Sequence, residues 1–426
     1  MEPRVSHDAD DAYAHSPVPA GVTVPGWRVG LIVASFSIGL PDFLNGAHNA
    51  LALGFAGAVL AALVAGLILC VGGSLTAIVS VQTRLSTYLL VRRSFGTGGA
   101  ALINTVIALI HFCWFGVNAS FFGQAMEQAA QANGLPGSFA AFTIVGSVLM
   151  MASTVVGFRA LDRLALVAVP LLAAVLVAIV VVTIGRHGLV TAPSAAPPEP
   201  MSLGYAISAL IGAYMLAVAT MPDLSRYTST ARGAIASMAL SFPIATPLMM
   251  TAAAIPALAT QETSMMKLVG SYGFGTPVLF LLVLPTWTVN ALNLYSSSLS
   301  LGSTFPRVRQ WIFTVAGGII GTALALMGIL EAFIPFVIFL GLIIPPIAAI
   351  YVIDQFTRFR TADPARSLLH LPRFDWRAIA TWLASVLVGV LGTYEGWTLT
   401  TVPALDATIV AALFYCVLRR RSFTAR

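Results

Sequence analysis

An all-α integral membrane protein with about twelve transmembrane helices is the fold class this sequence predicts, and three observations carry the prediction. Of its 426 residues, 58% are apolar and only 9% are Asp, Glu, Lys or Arg, where a soluble domain carries about 25% charged residues. A mean hydropathy of +0.90 leaves too little polar surface to face water. The apolar residues also come in runs of the length that crosses a hydrocarbon core about 30 Å thick. No large soluble catalytic domain fits in what remains.

In order along the chain, the apolar runs cover about 28–53, 55–81, 98–131, 137–158, 161–185, 202–224, 233–258, 275–302, 309–329, 332–356, 376–394 and 399–418. The first 26 residues are polar, hold Asp8, Asp10 and Asp11, and lack the basic and apolar stretches of a cleavable signal peptide. They read as a flexible cytosolic tail. With the N-terminus in the cytosol, 20 of the 22 basic residues fall on the inner side, including Arg84, Arg92, Arg93, Arg226, Arg358, Arg373 and the tail residues Arg419 to Arg421. Arg186 and Lys267, in outer loops, are the exceptions. Positive charge concentrates on cytosolic loops, so this bias supports both an even number of spans and cytosolic termini at a cell membrane. It also accounts for a net charge of +6 without invoking nucleic acid. Cys70, Cys113 and Cys416 lie far apart within apolar runs, as neither a disulfide framework nor a zinc cluster would place them.

The stretch Ala192 to Pro200 (APSAAPPEP) cannot continue a helix. It divides a first unit of five spans, 27–190, from a second, 202–358, with the linker at 191–201; residues 359–418 add a cytosolic loop and two more helices, and 419–426 form a second cytosolic tail. Five is odd, so the two units are expected to be related by inversion, an arrangement found in many secondary transporters.

Helix-breaking chemistry falls in the first span of each unit. Span 1 contains Ser35-Phe36-Ser37-Ile38-Gly39-Leu40-Pro41-Asp42, and span 6 contains Gly212-Ala213-Tyr214 and then Met221-Pro222-Asp223. Irregular backbone at membrane depth survives where it is buried in protein or lines a cavity. A plain proline kink is the competing reading for span 1, and helix termination for Pro222-Asp223. Asp42 is the acidic residue placed deepest in the hydrocarbon, and an ionisable group there is a functional candidate by default, for a cation, a proton or substrate; a place in the outer vestibule is the alternative.

On span 3, His111, Trp114 and Asn118 are spaced i, i+3, i+7 and share a helix face. That face offers an indole flanked by hydrogen-bonding groups, suited to a planar polar ligand; packing and interhelical contact are the competing roles. Span 8 holds Trp287, Thr288, Asn290, Asn293 and a Ser296–Ser298 run, polar groups that need partners in the bundle. Gly96-Thr97-Gly98-Gly99 lacks a preceding strand, so it reads as a flexible inner loop rather than a nucleotide site. No catalytic or cofactor motif is present, and the chain is not read as an enzyme.

Several runs resemble one family: RLSTYLLVRRSFG over Arg84 to Gly96, Trp114-Phe115-Gly116, Asp223-Leu224-Ser225-Arg226-Tyr227 and Ile344-Pro345-Pro346. In the same order and spacing, from about residue 18 to the C-terminus, these are similar to the nucleobase:cation symporter-1 family, above all its cytosine permease branch. The resemblance implies a five-plus-five inverted-repeat core with broken helices 1 and 6, two further helices, and alternating access that carries nucleobases or ureido heterocycles inward with Na⁺ or H⁺, with no other cofactor. It implies an aromatic sandwich from Trp114 and Tyr214, with Gly39 and Ala213 beside it. Asn118 and Asn290 are implied as readers of the heterocycle edge, with His111 standing where cytosine permeases have Gln. The family's Na⁺ ligands correspond to the carbonyls of Ser35, Ile38 and Pro285, the Thr288 hydroxyl, and Val289. Val289 has no hydroxyl, so Na⁺ coupling is expected to be weakened, with Asp42 or His111 permitting proton coupling. The expected partners are a small planar substrate, the cation and lipid, with the monomer as the working unit. An amino-acid or amine carrier of the same fold is the alternative reading, kept open by Asp42.

Overall fold

The computed structural model describes residues 16–19, 21–36, 39–156, 159–193, 201–305 and 307–423. Ser37, Ile38, most of the N-terminal tail, residues 194–200 of the Pro-rich linker and the last three residues lie outside that set. Among the described residues the chain is helical, with an isolated bridge between Val24 and Thr228 and no strand ladder.

Helix α1 is described over Gly26–Phe36, and α2 begins at Leu40 and runs to Thr83. Gly39 is extended (φ −150°, ψ 166°), Pro41 occupies the first turn, and Asp42 lies in that turn, where a carboxylate suits the positive end of the helix dipole. At 44 residues, α2 would extend about 66 Å, twice the hydrocarbon thickness. It turns back at Gly54 (φ +72°, ψ 177°), where Phe55 N–H donates to the Thr191 carbonyl at 3.0 Å. The gap expected between spans 1 and 2 is this one residue.

Helix α3, Thr87–Ala132, has a second such corner at Gly96 (φ +84°, ψ 175°). The expectation of a flexible loop there fails. The Thr97 and Gly98 amides donate to the carbonyls of Pro372 and Arg373 at 3.0 and 2.6 Å, so the corner is fixed under the loop that precedes the last two helices. A Cβ on Gly96 would lie 2.6 Å from the Pro372 oxygen, and its φ/ψ is a region open to glycine almost alone. Gly96→Ala is therefore expected to destabilise the protein by about 1–3 kcal/mol, read as a lower melting temperature of detergent-solubilised protein; unchanged melting would contradict this account.

Helices α4, Phe139–Val156, and α5, Arg159–His187, follow. After the linker come α6, Leu203–Ala219, capped by the Ser202 hydroxyl, and α7, Met221–Ser225. Gly212-Ala213-Tyr214 was expected to break span 6, but α6 runs through it unbroken. Gly212 serves close approach instead: a Cβ there would meet the Val337 carbonyl of the neighbouring helix. The interruption falls at Thr220 (φ −95°, ψ 7°), just before Pro222.

Helix α8, Ala231–Leu240, passes through a π turn at Ser241–Ala245 into α9, Thr246–Thr260. The Ser241 hydroxyl reaches the Gly30 carbonyl at 3.0 Å, tying α8 to α1. Short helix α10, Met265–Ser271, leads to α11, Thr276–Thr304, then α12, Gln310–Leu326, α13, Phe333–Phe356, α14, Trp376–Tyr394, and α15, Pro403–Phe423. Seven helical stretches among the described residues are long and apolar enough to cross a membrane by themselves, α2 and α3 among them.

Two large hydrophobic clusters make most of the core, with a third, small one around Ala58 and Leu258. Of the large ones, one gathers α2, α6, α8 and α13 around Leu69, Leu210, Met238 and Ile344; the other gathers α3, α11, α9 and the part of α2 before Gly54 around Phe43, Phe115, Leu282 and Leu294. Trp114, Ala213 and Phe336 are partly exposed and touch both clusters, which puts them on the seam. At the opposite end from Gly54, Asp354 of α13 is fully buried among charges. Arg419 of α15 lies 3.6 Å from it and 2.7 Å from Asp375, while Arg358 lies 3.9 and 3.6 Å from the same two carboxylates.

Candidate functional site

The face expected on span 3 exists. His111 and Asn118 are buried and Trp114 is half-buried, all on the regular part of α3 beyond Gly96. The Trp114 ring stands nearly perpendicular to Phe333 (centroids 6.2 Å apart, 75°) and Phe336 (5.5 Å, 69°) of α13, the edge-to-face geometry aromatic rings prefer. These two phenylalanines were not singled out from the sequence, because in an apolar run Phe carries no signal that separates a cavity wall from a lipid contact.

The polar candidates find different partners. His111 Nδ1 is 3.1 Å from Asn293 Oδ1, which leaves Nε2 as the ring nitrogen available to a ligand. Asn293 was missed as a site residue, although it stands one turn after Asn290 on α11. Asn118 Nδ2 donates to its own helix at the Trp114 carbonyl, 3.1 Å away. Asn290 ties α11 to α3: its Nδ2 donates to the Phe115 carbonyl (3.1 Å) and approaches Met150 Sδ (3.3 Å). Its buried Oδ1 has no partner among the described residues.

Across the seam, Ala213 is partly exposed beside Trp114's cluster contacts, and Tyr214 is 4% exposed with its ring 6.0 Å from Phe242 at 71°. The Asp42 carboxyl interacts with the Tyr214 side chain. A Cβ on Gly39 would lie 3.0 Å from Asp42 Oδ2. The helix interruption at Gly39 thus brings Asp42 to α6, although 172 positions separate it from Tyr214.

The cation ligands implied by resemblance come together only in part. Ser35 lies in the last turn of α1 and Ile38 lies outside the described residues. Pro285 sits inside α11 and frees a carbonyl one turn earlier by lacking an N–H. The Thr288 hydroxyl bonds back to the Leu284 carbonyl at 3.2 Å. Val289 is 38% exposed, on a different side of the helix from buried Asn290, so it brings neither a hydroxyl nor a position facing the bundle. For a hard cation that needs several oxygens, the described part of this set is short.

A helical bundle with interrupted membrane helices and an aromatic seam between its two main core clusters fits a class, that of membrane carriers. The chain belongs to the family described as permeases for cytosine/purines, uracil, thiamine and allantoin, whose sequence pattern matches residues 32–417. It is a permease and not an enzyme. It is 26% identical over 415 residues to the cytosine permease of Escherichia coli, covering 96% of this chain and 94% of that protein. In fold it is similar to the inward-facing conformation of Mhp1 (TM-score 0.84, 16% identity, 96% of this chain and 93% of that one). It is also similar to Mhp1, a nucleobase-cation-symport-1 family transporter, closed on bromovinylhydantoin (TM-score 0.79, 17% identity, 96% and 95%). A Na⁺-coupled sialic acid symporter shares the fold more distantly (TM-score 0.65, 12% identity, 96% and 91%).

Proposed function

We propose that this chain is a secondary-active importer that carries a nucleobase or related planar heterocycle, such as cytosine, a purine, uracil, allantoin or a hydantoin, across the cell membrane with a cation, by alternating access. The observation that carries the reading is Trp114 on the seam between the two core clusters, framed by Phe333 and Phe336 and one turn from His111. In this reading Trp114 and Tyr214 wall the ligand, with Gly39 and Ala213 lining its edge. Asn118, Asn290 and the His111 Nε2 offer it hydrogen bonds.

The architecture proposed with it is twelve spans in a five-plus-five inverted repeat, 27–190 and 202–358 joined at 191–201, followed by two helices within 359–418. The tails 1–26 and 419–426 are cytosolic, and the monomer is the working unit. The interruptions at Gly39 and Thr220, one near the start of each unit, support the repeat, and the 20 inner basic residues support the orientation. The outward position and apolar side chain of Val289 favour H⁺ over Na⁺ as the coupling ion. The Asp42 carboxyl would equally suit the amine of an amino-acid or amine carrier, which is the second reading.

Counterflow of radiolabelled cytosine, uracil and allantoin into proteoliposomes tests the first. Saturable exchange of at least one of them is expected, together with accumulation that collapses when the proton gradient is dissipated. Exchange of amino acids instead would favour the second reading. Uptake that requires Na⁺ and ignores the proton gradient would overturn the coupling.

A further inference from the structure

Asp42, Asn45 and Asn49 stand at i, i+3 and i+7 of α2, on one face and within about 10 Å of rise, and are 8%, 0% and 1% exposed. Asn49 Nδ2 donates to Asn45 Oδ1 at 3.3 Å. Asn45 Nδ2 and Asn49 Oδ1 are buried with no protein partner among the described residues. An orphaned amide group costs about 1–3 kcal/mol when it is buried, and water is what satisfies such groups in protein interiors. Two amides with one spare donor and one spare acceptor, a turn apart and leading to a carboxyl, are arranged to hold a short chain of waters. The line starts at the interruption beside Gly39 and rises toward Gly54, where the helix meets the linker at Thr191, the outer side in the proposed orientation.

We infer that Asp42, Asn45 and Asn49 form the acceptor and access path of the coupling proton. A proton from the outer water passes along waters held by the two amides to a carboxylate oxygen of Asp42. It leaves that oxygen for the inner water once the carrier opens inward, with no bond in the substrate changed. Intramembrane carboxylates serve as proton relays in pumps and transporters. The inference rests on the carrier reading above and assigns the coupling to Asp42 rather than His111, whose Nδ1 is engaged by Asn293 and whose Nε2 that reading gives to the substrate.

The titratable groups around the line are few. Tyr214 of α6 meets the Asp42 carboxyl, α9 carries no titratable side chain, and His48 lies on α2 itself, off the shared face. Lys267 of α10 is ion-paired with Glu262 at 3.3 Å. From the other end of α2 come Asp223 of α7, bonded to the Thr87 amide, Arg232 of α8, and Tyr351 and Asp354 of α13. Tyr88, Arg92 and Arg93 lie on the inner part of α3.

Full-length protein reconstituted with internal pyranine tests the path, with radiolabelled cytosine, uracil and allantoin as probes. For whichever probe exchanges, wild-type uptake should acidify the lumen. Asn45→Leu and Asn49→Leu should keep counterflow near the wild-type rate while losing about tenfold in uptake driven by a pH gradient, and Asn49→Ser should recover part of it. Asp42→Asn should abolish both accumulation and lumen acidification. Coupled uptake at the wild-type rate in the two leucine variants, or acidification by Asp42→Asn, overturns the inference while leaving the carrier reading intact. Absence of counterflow for every probe in wild-type protein overturns the carrier reading on which the inference rests, and both fall together. Should Asp42→Asn fail to fold, the asparagine variants decide alone.

Discussion

Trp114→Ala is expected to weaken saturable heterocycle uptake severely in protein that still folds. Stacking of a base on an aromatic side chain contributes about 1–3 kcal/mol in single-stranded nucleic-acid sites, and a loss of that size weakens binding by about 5- to 150-fold. The fold should tolerate the change because Trp114 is only half-buried and, among the described residues, its aromatic contacts are with Phe333 and Phe336. Concentration series of initial uptake rates, with melting of the same preparation, separate lost binding from lost structure. Trp114→Phe should fall between wild type and alanine. Near-normal affinity in the alanine variant would remove Trp114 from the ligand wall.

Asp354→Ala is expected to have the largest effect on stability. The carboxylate is fully buried, with Arg358 and Arg419 at 3.9 and 3.6 Å and the Arg93 guanidinium nearby, bonded to Gln355 at 2.6 Å. Removing one partner of a buried charge cluster leaves the others uncompensated, which costs about 3–5 kcal/mol. Asp375, still 2.7 Å from Arg419, keeps the loss toward the lower figure. The expected result is a sharp fall in membrane yield and melting temperature. Removing charge on both sides, Asp354→Leu with Arg419→Met, should recover part of the loss. Equal stability of wild type and Asp354→Ala would mean that the cluster carries little of the joint between α13 and α15.

Much of this was legible from residue order. The gap between spans 1 and 2 fell at Gly54, the interruption of span 1 fell before Pro41, and His111, Trp114 and Asn118 share the face their spacing gave them. These features depend on hydropathy and on where a helix cannot continue, both local properties. The misread segments were glycines. Gly96 to Gly99 looked flexible and is a clamped corner, and Gly212 looked like a breaker and is a contact with Val337. A glycine permits a turn, a break or a close approach, and the residue that decides among them lies far away in the chain.

The sequence by itself determined the solvent, most of the places where helices begin and end, and the short list of polar groups held at membrane depth. Those follow from the requirement that every backbone group in lipid be paired within its own helix. Only the tertiary structure decided which of those groups meet: Asp42 with Tyr214, His111 with Asn293, Asn290 with the α3 backbone, and Val289 turned away. The reason is that lipid and protein core are equally apolar, so the apolar residues that make up most of a membrane helix do not mark which face turns inward or which neighbour it meets. Close packing between helices distant in sequence sets that face instead.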